Sequence, residues 1–108
     1  MEMTLREVCQ ALGVTRRAIQ GYEKANLVSA SNRTQSGYLL YNESSRNRIR
    51  QIKLYQDMGF SIKEIQQIID APADIKKAAL QRQKDLLNAN IDQTKKLIQI
   101  IEIIIETL

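Results

Sequence analysis

From Arg16 to Lys53 the chain places eight basic residues, Arg16, Arg17, Lys24, Arg33, Arg46, Arg48, Arg50 and Lys53, against two acids, Glu23 and Glu43. That local balance of +6 exceeds the +4 of the whole chain. Guanidinium and ammonium groups gathered in one stretch neutralise phosphates, so the chemistry they fit is polyanion binding, with nucleic acid the default partner. A solvated surface accounts for the charge equally well. Residues 71–108 carry six bases and five acids and are nearly neutral, so the cationic field belongs to the first part of the chain.

Other chemistries lack their residues. There is no histidine, and Cys9 is the only cysteine in 108 residues. A disulfide within one chain is excluded, and a zinc site from the usual sulfur and nitrogen ligands has too few of them. The same absences remove a Cys/His pair and a serine–histidine triad. Neither a carboxylate pair nor a phosphate loop stands at the spacing catalysis needs, so no enzyme, metal or cofactor is expected. Cys9 lies among apolar positions and reads as a small buried thiol. The start, Met1-Glu2-Met3-Thr4, is not a signal peptide, and the apolar stretch near the end is cut by Glu102 and Glu106. No membrane partner is expected, and the location expected is cytoplasmic.

The elements that must position the arginines are short helices. Thr4-Leu5-Arg6-Glu7 has the form of a capping box, after which Leu5, Val8, Cys9 and Leu12 fall on one face. Gly13 ends that helix and Thr15 caps the next after a tight turn. In this second helix Ala18, Ile19 and Tyr22 line the inner face, while Arg16, Arg17 and Gln20 point elsewhere. The pattern is a helix-turn-helix with the second helix as candidate reader, although such units also occur without binding anything.

Residues 29–37, Ser-Ala-Ser-Asn-Arg-Thr-Gln-Ser-Gly, form a polar turn region, and Tyr38-Leu39-Leu40-Tyr41 reads as a short strand. The hairpin is either a wing, with Arg33 at its tip for phosphates, or an ordinary surface loop. Asn42 or Ser44 caps a third helix with apolar positions Ile49, Ile52, Leu54 and Tyr55, ended by Gly59. Ser61-Ile62-Lys63-Glu64 is a second capping box and opens a fourth helix through Ile62, Ile65, Ile68 and Ile69. Pro72 then separates a domain over 2–70 from the remainder of the chain.

Residues 73–108 contain neither glycine nor proline. Leu80, Leu87, Ile91, Thr94, Ile98, Ile101, Ile105 and Leu108 fall at the alternating three-and-four spacing of a coiled-coil seam, with Lys84 in one gap. A second copy of the chain is the simplest cover for that seam, and packing back on the small domain is the alternative. Beyond Lys96, Leu97, Ile98, Ile100, Ile101, Ile103, Ile104 and Ile105 spread further round than a two-stranded seam covers. Several helices meeting, a further domain or a greasy ligand would each account for this. The fold expected is mainly α: a winged helix-turn-helix with a small β wing, followed by a long dimerisation helix.

These motifs together resemble the MerR family of bacterial transcription regulators, over nearly the whole chain. The matching residues are Gly13-Val14-Thr15, Tyr22-Glu23-Lys24 with Leu27-Val28, Gly37-Tyr38 followed by Tyr41, and Gly59-Phe60-Ser61 with Glu64-Ile65. The resemblance implies a homodimer joined by an antiparallel coiled coil over 73–108, sitting on double-stranded promoter DNA and distorting it so that RNA polymerase can use it. It assigns Thr15, Arg16, Arg17, Gln20 and Tyr22 to the major groove and its flanking phosphates. Arg33, Tyr38 and Tyr41 would serve the backbone contacts of the wing. The family usually has arginine, tyrosine and arginine where this chain has Gln20, Gly21 and Leu39, so two cations are gone and the contact pattern does not carry over. Gln20 has the geometry to read adenine, and Gly21 in a helix interior suggests close packing or approach. No cysteines mark the end of the long helix, which disfavours metal sensing.

The function expected is therefore a sequence-specific DNA-binding regulator that distorts a promoter. An excisionase-like architectural DNA-bending factor is the alternative, and an adaptor using only its coiled coil is a third. The chain is either a minimal regulator or the amino-terminal part of a longer one, and the isoleucine-lined end favours the second.

Overall fold

The computed structural model describes all 108 residues. The order is β1 (Met3–Thr4), α1 (Leu5–Leu12), α2 (Arg16–Lys24), β2 (Asn32–Arg33), β3 (Leu39–Tyr41), α3 (Glu43–Asp57), α4 (Ile62–Ile68) and α5 (Ala73–Thr107). The chain divides into two compact units, Met1–Asp70 and Ala71–Leu108.

Local chemistry sets each boundary in the first unit. Thr4 and Glu7 form the reciprocal capping box: Glu7 N donates to Thr4 Oγ1 at 3.3 Å and Thr4 N to Glu7 Oε1 at 3.0 Å. Gly13 adopts the left-handed conformation at φ 65°, which stops α1 without a Cβ penalty. Thr15 Oγ1 accepts from Ala18 N at 3.0 Å and opens α2 three residues after α1 ends. Asn42, not Ser44, caps α3, accepting from Ser45 N at 2.9 Å. Ser61 and Glu64 repeat the capping box at α4.

The sheet has the order β1-β3-β2, antiparallel throughout. Its β2–β3 hairpin turns at Gly37, φ 91°, with Gly37 N donating to Thr34 O at 2.9 Å and Thr34 N to Tyr38 O at 2.8 Å. Strand β1 was not legible in the sequence. It pairs Met3 with Tyr41 and Thr4 with Leu40, leaving β3 covered on both edges.

Val8, Ile19, Tyr41, Ile49, Ile52 and Ile65 are the fully buried centre, drawn from α1, α2, β3, α3 and α4. Leu54 departs from the sequence reading and lies exposed. It is two residues beyond Ile52, which on a 3.6-residue period is the far side of the helix. Arg46, one turn before Ile49, points inward instead and is only 8% exposed. Its Nη1 donates to Met1 O at 2.8 Å and Tyr41 O at 2.7 Å, so it carries no free charge to the surface.

The second unit is α5, a 35-residue helix. At 1.5 Å per residue it is roughly 50 Å long. Leu80, Leu87, Ile91, Ile98, Ile101, Ile105 and Leu108 are all exposed in the single chain. Thr94, at the polar step of this seam, donates its hydroxyl to Asn90 O at 2.8 Å.

Two measurements test these roles. Arg46→Ala leaves two carbonyls unpaired and opens a void, and should cost about 2–3 kcal/mol in denaturant unfolding, while Arg50→Ala stays within about 0.5 kcal/mol. The backbone N–H of Thr4 first, then its hydroxyl, hold the Glu7 carboxyl below its ordinary range, and Ser61 does the same for Glu64. A depressed folded-state pKa gives stability that is present above about pH 4.3 and is lost as pH falls through the lower folded value. Glu7→Gln with Glu64→Gln should therefore lose less melting temperature between pH 5 and 3 than the parent chain does.

Candidate nucleic-acid interface

Helix α2 is two-faced. Ile19 and Tyr22 are buried, whereas Thr15, Arg16, Arg17, Gln20, Gly21 and Lys24 are exposed. The chain's two ion pairs are Arg48–Asp70 and Lys53–Asp57, so neither Arg16 nor Arg17 is neutralised by an acid of the chain. Thr15 keeps an exposed position while its oxygen caps the helix. Thr15, Arg16, Arg17 and Gln20 thus stand at or beside the outward start of α2, available to an external acceptor.

The hairpin offers the second cationic element. Arg33 is exposed on β2, and its Nη1 donates to Gly37 O at 3.0 Å across the turn, which pre-orients the guanidinium. Tyr38 is 68% exposed, with its backbone N–H held by Thr34 Oγ1 at 3.0 Å. A planar cation and an aromatic at one hairpin tip can meet a phosphate and the sugar beside it.

Tyr22 and Tyr41 depart from the surface roles assigned by the resemblance. They are 2% and 0% exposed, and both hydroxyls are engaged inside the domain. Tyr22 Oη donates to Gln56 Oε1 at 2.6 Å, and Tyr41 Oη donates to Glu23 Oε1. Burial first, then the charge of Asp57, pushes the Tyr22 phenol up. Burial first, then the bond to Glu23, pushes Tyr41 well above the ordinary phenol range. Both stay protonated and donate, tying α2 to α3 and β3 to α2. Helical period places Tyr22 on the inner face of α2, where the structure has it.

The basic field is also thinner than its sequence count. Arg46 is buried on carbonyls. Arg48 donates from Nε to Leu27 O at 2.8 Å and from both terminal nitrogens to Asp70 at 2.7 and 2.6 Å, a bidentate pair that raises its pKa. Lys53 lies 3.3 Å from Asp57. Arg16, Arg17, Lys24, Arg33 and Arg50 remain as outward cations. The α3 sequence does not separate Arg46 from the rest, because Glu43 and Arg50 share its side of the helix with Ile49; the carbonyls of Met1 and Tyr41 do.

Gly21 is not explained by packing inside the domain: beyond its flanking residues and the adjoining helix backbone, a methyl group built on it would meet no atom within 4 Å.

Comparison with known proteins agrees with this geometry. A family model described as MerR HTH family regulatory protein matches residues 3–72, and one described as MerR, DNA binding matches residues 46–108. The transcriptional activator mta of Bacillus subtilis is 32% identical over 102 residues, which are 94% of this chain. The chain spans only 40% of that relative's length. The solved amino-terminal part of the same multidrug transporter activator superposes with a TM-score of 0.76 at 32% identity, covering 93% of this chain and 94% of that one. A MerR family regulator lacking the sensor domain, solved bound to promoter DNA, has a TM-score of 0.73 over 92% of this chain and 80% of its own; at 16% identity it speaks for the fold alone. No helix here is long and apolar enough to cross a membrane. The matched helix-turn-helix, the three-stranded wing sheet and the long terminal helix together establish that this chain belongs to the MerR family of helix-turn-helix regulatory proteins.

Proposed function

We propose that the chain binds promoter DNA as a homodimer and distorts it, acting as a transcription regulator or as the DNA-binding portion of one. The observation that carries this reading is the outward face of α2, where Arg16 and Arg17 stand exposed without an internal acid partner. In the proposed complex α2 enters the major groove, with Thr15, Arg16, Arg17 and Gln20 toward base edges and flanking phosphates. Arg33 and Tyr38 on the wing hold the adjoining backbone. Related proteins named as transcriptional activators support the reading. It needs no enzymatic step.

Dimerisation follows from the energetics of α5. Leaving the seam from Leu80 to Leu108 in water forgoes about 1.5–3 kcal/mol for each Leu or Ile that a partner would bury. A second copy, antiparallel, supplies a matching apolar stripe and sets two reading faces at a fixed separation. Distorting duplex DNA costs several kcal/mol, which phosphate contacts from two subunits can offset. RNA polymerase at the same promoter is the further partner of this reading. An architectural DNA-bending factor is separated from a regulator by a promoter assay, since it would bend the duplex and leave transcription unchanged.

Binding to promoter fragments, followed by fluorescence anisotropy, should weaken steeply with salt. Arg17→Ala should lower affinity about tenfold and reduce the log–log salt slope by about one, with an unchanged melting temperature. Unchanged affinity removes Arg17 from the interface. Ile91 is 51% exposed in the single chain, so Ile91→Glu should leave the first unit folded. Sedimentation at micromolar concentration should show the parent as a dimer and Ile91→Glu shifted to monomer, with operator affinity falling in parallel. A monomeric parent chain would exclude the dimer.

A further inference from the structure

Arg17, Gln20, Gly21 and Lys24 recur at intervals of three and four and form one exposed stripe of α2, opposite the buried Ile19 and Tyr22. The stripe has a cation at each end and no side chain at position 21. Glycine is the sixth residue of this nine-residue helix, and its backbone is helical, with Ala25 N donating to Gly21 O at 3.0 Å. Nothing in the domain asks for it: beyond its own stretch of helix an added Cβ meets no atom within 4 Å, and its φ is not positive. Alanine would fit the same space and hold the helix better.

We infer that Gly21 is a notch where the α2 backbone comes into direct contact with duplex DNA, flanked by Arg17 and Lys24. This rests on the proposed function. An α-helix with its side chains is about 10–12 Å across, close to the ~12 Å width of the major groove, whereas its Cα cylinder has a radius of only about 2.3 Å. Removing one side chain at the middle of the outward stripe lets the axis settle deeper at that point. The neighbouring Gln20 amide then reaches a base edge, and the two cations reach phosphates on either side. The contact at Gly21 itself is van der Waals, because its N–H and C=O lie within the helical ladder. Selectivity follows from depth: a helix held off by a side chain at 21 keeps its attraction to phosphates and loses its reach to bases.

The test uses the full chain, a duplex enriched by the parent chain from a random pool, and an unselected duplex of equal length. Gly21→Ala and Gly21→Leu should both melt higher than the parent, by about 4–8 °C for alanine. Their affinity for the enriched duplex should fall, at least tenfold for leucine and less for alanine, while affinity for the unselected duplex changes less than twofold. Higher melting with unchanged affinity for the enriched duplex overturns the notch and leaves DNA binding intact. Equal losses on both duplexes overturn it as well, since the glycine would then serve general phosphate attraction. Failure of the parent chain to enrich or bind any duplex overturns the proposed function, and the notch falls with it.

Discussion

The hydroxyl of Tyr41 donates to the carboxylate of Glu23, and the tie between the hairpin strand β3 and helix α2 runs through that bond. Tyr41 is the innermost residue of the wing strand, and Glu23 lies on the reader helix α2. Burial keeps the phenol protonated, so the wing is a permanent donor to α2 across the physiological range. Tyr22 does the same from α2 to Gln56 on α3, and the Arg46 guanidinium joins α3 to the backbone of β3 and to Met1. Wing, reader and supporting helix are thereby linked through three buried polar side chains. A hydrophobic core of about seventy residues is marginal alone, and its apolar contacts are not directional. These hydrogen bonds supply the direction.

The arginines divide accordingly. Arg46 spends its charge on inward carbonyls, and Arg48 spends its own on Leu27 O and on a bidentate pair with Asp70. Arg16, Arg17 and Arg33 are left to solvent. One residue type thus serves as internal strut and as external cation, and composition cannot tell them apart. The distinction rests on the partners within reach. Arg46 and Arg50 are four residues apart on one side of α3, and Arg46 turns inward because the carbonyls of Met1 and Tyr41 lie beside the start of the helix, whereas Arg50 is exposed.

Much of the fold was legible because its boundaries are chemical. Thr4 with Glu7, Thr15, Ser61 with Glu64, Gly13 and Gly37 each satisfy a specific backbone need, and each stands where its residue type indicated. Strand β1 escaped because two residues carry no period; it exists only because β3 presents a free edge. Leu54 misled because hydrophobicity was counted without phase. The candidate site was legible at Arg16, Arg17, Gln20, Arg33 and Tyr38 as exposed positions, and misread at Tyr22 and Tyr41, where family likeness pointed outward and packing points inward. Tyrosine has an apolar body with a polar tip, so its presence in a motif leaves open whether the tip meets DNA or a neighbouring helix. Only the partner atoms decide that, and here they are Gln56 and Glu23.

The long helix poses a different problem from the domain before it. Its apolar residues are half exposed along the whole seam, yet none of its backbone depends on them, since every interior turn closes its own hydrogen bonds. In the proposed dimer, burying that stripe adds packing stability to a helix whose backbone already closes on itself. The polar steps then matter for register. Lys84 stands in a gap of the seam, and Thr94 satisfies its hydroxyl on Asn90 within its own helix, so it needs no partner acceptor. In the proposed dimer a register that keeps the Lys84 ammonium at the solvent edge of the seam is favoured over one that buries it against aliphatic carbon. In the proposed dimer, pairing of the two α5 helices would set the separation of the two copies. If the two recognition elements on DNA do not match that distance, the softer partner must give, and bending or untwisting the duplex at a cost of a few kcal/mol is easier than unpacking the seam. On this reading the isoleucine-lined helix is what turns binding into distortion.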